Sequence, residues 1–500
     1  MSAQLPLLFT FAVIPQDRIT SLPGAPEAAT LGHYAGLLNV SHAGLPLSTF
    51  YYYAQHADSS KPLLVWMNGG PGASSLMGLF TELGPLLLND RSLPRSTNGT
   101  DWRLQINPEA WSIDSSLLVW EQPAGVGFSR CVQSTGCPPW DDATSAAANL
   151  DVLLEFLRVY PEAASRDVYI SGESYGGIYV PLLAESIMKH NARTLPPHAT
   201  QHAIANGPIR LRGIAVGNGC IGFGVTGGCG LDALDLFVTS METAAQGVPR
   251  AATSHVRDAC APEELMSGKA PAELSASCAA ALRALAMEVG SFNVYHLASA
   301  CGASAQGNWG DGSGFACAGG ADGGAAVDGG VLAEYLAMPQ TQRALHVISD
   351  GQPPLTWQAW DGTMPGYNIS IPDVQPAYRA LLAGGVRTLI YNGLRDTGVP
   401  VAGAERWVPR VAGTALAQGG ARRKWGAPPK GQYVAGDVTQ YATGLTFATV
   451  EGAGHLVPAD RPVAARAMMA AWLRSEPLPA YGGAACTPVW LGRGWGDLCS

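Results

Sequence analysis

The stretch VYISGESYGGIYVP, residues 168–181, joins a short apolar run to a glycine-rich corner and then to a helix-like segment. Val168-Tyr169-Ile170 reads as a buried strand. Gly172-Glu173-Ser174-Tyr175-Gly176 matches G-x-S-x-G, in which the chain turns sharply from strand to helix and presents a serine on a strained corner. Glycines two residues to either side are needed because side chains there would collide with neighbouring backbone. The N–H of Tyr175, next after the serine, points to where an oxyanion would form. Beyond the corner, Leu182, Leu183 and Ile187 recur on one face of a helical segment from Ile178 to His190. In a chain with 61 glycines, the five-residue motif alone also fits a solvated turn. A serine nucleophile further needs a base and an orienting acid, which the rest of the chain has to supply.

Working outward, Leu63-Leu64-Val65-Trp66-Met67 is a continuous apolar run, expected as a buried strand. It ends in Asn68-Gly69-Gly70-Pro71-Gly72-Ala73-Ser74-Ser75, a tight loop able to bring bare backbone N–H groups against a ligand. Gly70 is thus a candidate second oxyanion donor, although an ordinary strand-to-helix turn reads the same way. Residues 31–54 are expected as two strands and a turn, and Leu117 to Trp120 as another buried strand. Residues 142–159 carry Ala146, Leu150, Leu153, Leu154 and Leu157 at helical spacing before Tyr160-Pro161. Ile209 to Val216, Val386 to Tyr391 and Leu445 to Val450 complete the expected strands. Alternating strands and helices argue for a largely parallel sheet covered on both faces. Between about 221 and 330 alanine, glycine and cysteine dominate and the alternation stops. That region reads as a helical and loop insertion, stapled by disulfides over the site mouth, or as a separately folded module.

Hydrophobic residues make up 47% of the chain and charged ones 14%, which excludes a disordered protein. A net charge of −9 with no basic patch argues against a nucleic-acid partner. No stretch is long and apolar enough to be expected to span a bilayer. The ten cysteines form no C-x-x-C pair, so zinc and thioredoxin-type chemistry are disfavoured, and no metal site is expected. Their even number in loop-like sequence fits disulfides in an oxidising compartment. Nearest-neighbour pairings would be Cys131–Cys137, Cys260–Cys278, Cys301–Cys317 and Cys486–Cys499, though sequence does not fix connectivity. Sequons at Asn39, Asn98 and Asn368 are glycosylation candidates and point to the same compartment. The apolar run Leu5 to Ile14 resembles a signal-peptide core without a basic flank, so residues 1–16 are expected as an atypical signal segment. Residues 17–500 are then one domain with the insertion at 221–330, resident in the secretory pathway, secreted or vacuolar/lysosomal.

Ser174, Asp396 and His455 occur in the order Ser…Asp…His expected of α/β-hydrolases, each on a glycine-containing loop after an expected strand. In a parallel sheet those loops emerge at one edge, so three distant residues can converge. His455 would take the Ser174 proton, and Asp396 would hold the imidazole tautomer. Asp373 and Asp437 are nearby competitors for the acid.

The assembled motifs resemble the serine carboxypeptidase family: W-x-N-G-G-P-G-x-S-S (66–75), E-L-G-P (82–85), P-x-G-V-G-F-S (123–129), G-E-S-Y-G-G (172–177), G-N-G (217–219), Y-L-x-x-P-x-x-Q-x-A-L-H-V (335–347) and G-x-G-H-x-V-P (452–458). That family includes lysosomal cathepsin A and yeast and plant carboxypeptidases, and the motifs run in order over nearly the whole chain. The resemblance implies an α/β-hydrolase fold with the triad Ser174, Asp396 and His455 and an oxyanion hole from Gly70 and Tyr175. It also implies that Asn68, Glu82 and Glu173, buttressed by Trp66, bind a substrate carboxylate, and that no cofactor is needed.

The carboxylate assignment makes physical sense. No lysine or arginine stands between Lys61 and Arg91 or in residues 167–188. Two glutamates in contact cannot both ionise, so they would share a proton and donate a hydrogen bond to the carboxylate, best at acidic pH. The expected activity is removal of C-terminal residues from peptides or proteins through an acyl-Ser174 intermediate. The alternative is acyl transfer by the same triad, as in plant relatives, and a binding role independent of catalysis is the non-enzymatic class. A homodimer is left open, because sequence does not give the oligomeric state. Three positions depart from the family pattern: Ala73 stands where cysteine is common, Glu121-Gln122 where an Asp-containing sequence is usual, and Leu394 where a first acid often precedes the Asp396 position.

Overall fold

The computed structural model describes residues 15–499 apart from 95–100, 134–135, 196–199, 201–207, 244–247, 270–272, 291, 298–315, 318–329, 358–363, 415–419, 428–432, 483–485 and 491–494. Strands β1 (His33–His42) and β2 (Leu45–Ala54) form an antiparallel hairpin turned at Ala43-Gly44. The expected buried runs are β3 (Leu63–Met67), β4 (Ser116–Trp120) and β5 (Val168–Glu173), with every residue of all three buried. They are followed by β6 (Leu211–Gly217), β7 (Arg387–Gly393), β8 (Tyr433–Gln440) and β9 (Leu445–Val450). The order across the sheet is β1-β2-β4-β3-β5-β6-β7-β9-β8, and β4 through β9 in that order are mutually parallel.

Continuous apolar strands follow from burial on both faces. Along β3, Val65 and Met67 join one core cluster while Leu64 and Trp66 join the other. The first cluster is closed by helices α1 (Asp142–Val159) and α2 (Gly176–Ala192), with Gln375–Ala383 and Val401–Ala412 beside them. The helix Pro462–Leu473 covers the other face through Met468, Met469 and Trp472. α1 starts at Asp141, whose side chain accepts the Thr144 N–H at 2.7 Å, and ends before Pro161.

The region after residue 221 contains α3 (Ala233–Thr243), α4 (Arg250–Ala259) and α5 (Ala276–Val289), which share a small core of Val238, Met241, Val256, Leu282 and neighbours. The Cys260–Cys278 disulfide ties the end of α4 to the start of α5. Cys131–Cys137 is also bridged, and a third bond, Cys220–Cys229, joins two consecutive cysteines outside the four pairings named above. The proposed partner of Cys317, Cys301, lies outside the described residues, as does Asn98. Cys486 and Cys499 face each other in register on the antiparallel strands Cys486–Trp490 and Trp495–Cys499, which extend the sheet beyond β8.

Pattern reading stopped at β9 and missed β8 and its partner Arg423–Ala427. The cause is their antiparallel, part-exposed place in the sheet, where Gly436, Asp437 and Lys424 break any apolar run. Among the described residues no helix is long and apolar enough to cross a membrane.

Sheet and helix pack closely at Gly213 of β6. A Cβ there would lie 2.8 Å from the Arg387 carbonyl oxygen and 2.8 Å from the Trp472 ring. Gly213→Ala is expected to lower unfolding stability by about 1–3 kcal/mol, read as a fall in Tm; an unchanged Tm would contradict this packing.

Candidate active site

Parallel strands deliver their following loops to one edge of the sheet, the general ligand edge of such folds. β3 delivers Asn68 to Ser75, β5 delivers Ser174, β6 delivers Asn218, β7 delivers Asp396 and β9 delivers His455. Ser174 has φ +58°, a left-handed backbone that is uncommon for a residue with a side chain. Neighbouring backbone holds it there: the Ser174 N–H donates to the Gly217 carbonyl at 3.0 Å, and its own carbonyl accepts from Cys220 and Gly177, each at 2.9 Å. The 68–75 loop presses directly on this corner. A Cβ on Gly69 would sit 2.4 Å from the Tyr175 nitrogen and 2.8 Å from Ser174 Cβ, so only glycine admits the approach.

His455 and Asp396 meet as the sequence order required. His455 Nδ1 lies 2.6 Å from Asp396 Oδ2, and both residues are buried. Asp396 is further held by Asn218 Nδ2 at 2.7 Å, the Val399 N–H at 3.2 Å and the Gly398 N–H at 2.8 Å. The competing acids are occupied elsewhere: Asp373 accepts from the Gln375 N–H, and Asp437 pairs with Arg422 and Lys424. Burial alone would lower the His455 pKa. The charge and hydrogen bond of Asp396, with the charge of Glu82, outweigh that and raise it.

A segment of the insertion completes both loops. The Val294 carbonyl accepts from the Thr397 and Gly398 N–H groups, the Leu297 N–H donates to the Arg395 carbonyl, and the His455 N–H donates to the Tyr295 carbonyl at 2.6 Å. The Tyr295 ring lies 4.7 Å from the His455 ring, centroid to centroid.

The implied carboxylate-binding residues form one buried network. Trp66 Nε1 donates to Asn68 Oδ1 at 2.7 Å and the Gly78 N–H to the same oxygen at 3.1 Å, which fixes the amide orientation. Asn68 Nδ2 then donates to Glu173 Oε1 at 2.9 Å. Glu82 Oε2 and Glu173 Oε2 receive no other donor, and the two carboxyls neighbour each other. Burial raises Glu82 to about 7, and burial followed by the charge of Glu82 raises Glu173 well above the carboxylate range. Two such groups hold a proton between them at neutral pH.

Glu121, noted as a departure, is buried and accepts from the Ser74 hydroxyl, from the Phe128 N–H at 2.6 Å and from Trp357 Nε1 at 2.8 Å. Burial raises it to about 7. It therefore braces the loop that carries Asn68. Asn218 and Tyr295 were missed as site residues. Asn218 had a usable signal, an amide between two glycines at the end of a strand, with φ +43° here. Tyr295 had none, since it lies in sequence without pattern. The sequon residues Asn39 and Asn368 are exposed.

The comparisons with known proteins agree with this geometry. The serine carboxypeptidase family model matches residues 23–475. The chain is 30% identical to Serine carboxypeptidase-like 25 of Arabidopsis thaliana, over 93% of this chain and 92% of that protein. It is 28% identical to Serine carboxypeptidase-like 26 of Oryza sativa subsp. japonica, over 93% and 91% of the two. Among solved structures, a prohormone-processing carboxypeptidase from Saccharomyces cerevisiae superposes with a TM-score of 0.64 at 20% identity, covering 95% of this chain and 97% of that one, a likeness of fold. A parallel sheet delivering serine, acid and histidine loops to one edge, under a family model spanning residues 23–475, shows that this chain belongs to the serine carboxypeptidase family and has its α/β-hydrolase fold.

Proposed function

We propose that this chain removes C-terminal residues from peptides through an acyl-enzyme on Ser174. The observation that carries the reading is the buried Asn68–Glu173–Glu82 network beside the serine corner. A general esterase has no use for a proton-sharing carboxyl pair at that place, whereas an exopeptidase must recognise a free carboxylate. Asn68 and the protonated pair would donate hydrogen bonds to that carboxylate, placing the scissile bond at Ser174. His455 Nδ1 is committed to Asp396, so Nε2 is the nitrogen that takes the Ser174 proton and returns it to the leaving amine. The N–H groups of Gly70 and Tyr175 would receive the developing oxyanion. Three disulfides and two exposed sequon asparagines support residence in the secretory pathway, secreted or vacuolar/lysosomal.

A blocked dipeptide with a free C-terminus, its amidated counterpart and Ser174→Ala protein make the test. The free-acid peptide alone is expected to be cleaved, with kcat falling by on the order of a millionfold in the variant. Turnover of a glucose ester onto an alcohol, without peptide cleavage, would instead establish acyl transfer.

The two titrating sites oppose each other. The carboxylate binds best while both carboxyls of the glutamate pair are protonated, so KM for free-acid peptides is expected to be low below about pH 7 and to rise above it, as Glu82 ionises and leaves the pair with the single proton of Glu173. His455 works only when neutral, and its raised pKa makes kcat fall on the acid side. The profile of kcat/KM is therefore a bell. A KM constant from about pH 5 to 8 would exclude a part for the Glu82 proton in binding.

A further inference from the structure

Asp142, the first residue of α1, carries a fully buried carboxylate that takes no part in the chemistry above. Its Oδ1 accepts from the Tyr175 hydroxyl at 2.6 Å and the Tyr367 hydroxyl at 3.0 Å. Its Oδ2 accepts from the N–H groups of Ser370 at 2.7 Å and Ile371 at 2.8 Å, and from the Ser370 hydroxyl at 3.3 Å. Among the described residues no cationic side chain pairs with it. Five neutral donors and the N-terminal end of α1 surround it instead.

These bonds close a ring. The segment from Met364 to Ile371 is anchored at one end by the Met364 N–H, which donates to the Pro71 carbonyl at 2.7 Å. Met364 also fills the space beside Gly72, where a Cβ would lie 2.5 Å from the Met364 Cβ. At its other end the segment is gripped by Asp142, which grips Tyr175 in turn. Gly70 and Tyr175 are far apart in sequence, and beside the β3–β5 ladder, the Asn68–Glu173 bond and the Gly69 contact this bracket is a further tie between them.

We propose that Asp142 is a positioning residue for acyl transfer to Ser174: it ties the Tyr175 phenol to the Met364–Ile371 segment and so fixes the spacing of the Gly70 and Tyr175 N–H groups. The inference rests on the assignment of those two groups as the oxyanion donors. Donors to an oxyanion act within a few tenths of an ångström, so loosening one side of the bracket weakens the transition state more than the bound substrate. Substrate carboxylate binding runs through Asn68, Glu173 and Glu82, which the bracket does not touch.

The test is Tyr175→Phe, which removes one hydroxyl and keeps the ring, beside Asp142→Asn. An asparagine amide at 142 would turn donors toward the donors it has to meet. The readouts are kcat, KM, Tm and the rate at which a fluorophosphonate probe labels Ser174, which needs an oxyanion hole but no peptide. Tyr175→Phe is expected to lower kcat and the labelling rate together by about tenfold, with KM within about twofold. Asp142→Asn is expected to lower both further, and the double variant to match Asp142→Asn, because both remove the same bond. Wild-type kcat and labelling in Tyr175→Phe, whatever its Tm, would overturn the proposal; so would a loss seen wholly in KM. If Asp142→Asn does not fold, Tyr175→Phe and Tyr367→Phe decide alone. A wild-type chain that labels but cleaves no peptide overturns the peptidase reading and leaves the bracket measurable by labelling rate. A wild-type chain that fails to label overturns the nucleophile, and the bracket with it.

Discussion

The left-handed turn at Ser174 is the constraint on which the rest of the site depends. A non-glycine residue in that conformation carries a cost of about 1–3 kcal/mol, recovered only where the surroundings over-determine it. Here the Gly217 carbonyl holds the serine's N–H, while Cys220 and Gly177 hold its carbonyl. The loop after β6 must therefore run beside the corner, and the loop after β3 must approach without a side chain at Gly69. Each of those loops then carries a residue of the site, Asn218 in one and Asn68 in the other. Strain at one residue thus sets the course of three segments.

Around that corner lies a group of buried carboxyls: Asp396, Glu82, Glu173, Glu121 and Asp142. Their hydrogen bonds come from neutral donors or from histidine rather than from lysine or arginine, and are unevenly shared. Asp396, Asp142 and Glu121 each collect three or more donors besides any histidine. Glu82 and Glu173 are short of donors and take a proton instead. One fold therefore holds a donor-rich carboxyl beside His455 and a donor-poor acid pair, raised by burial, beside Asn68.

Sequence legibility followed the locality of each cause. β3, β4 and β5 were readable because burial on both faces makes an unbroken apolar run, and α1 was readable to its ends because Asp141 and Pro161 punctuate it. Ser174 and His455 were readable because the corner and its glycines are written in consecutive residues. Asp396 needed the structure to separate it from Asp373 and Asp437, since its selection is a matter of distance to His455. Asp142 gave no sign at all: its donors lie 33 and 225–229 positions away, and a helix-start aspartate ordinarily reads as a response to the helix end. β8 was lost for the opposite reason, as an antiparallel strand with a part-exposed face leaves a weak pattern.

The contact of Val294 to Leu297 with both catalytic loops has a bearing on how such a chain can diversify. Helices α3 to α5 hold together through their own small core and the Cys260–Cys278 bond, so most of the insertion answers to itself. The short tongue beyond them supplies backbone hydrogen bonds that the Asp396 and His455 loops would otherwise lack. The helices can be exchanged or drift without touching these bonds, while the tongue has to be carried across any such graft intact. The region that looks most expendable in composition is therefore divided, into a self-contained set of helices and a hinge-post on which the Asp396 and His455 loops lean.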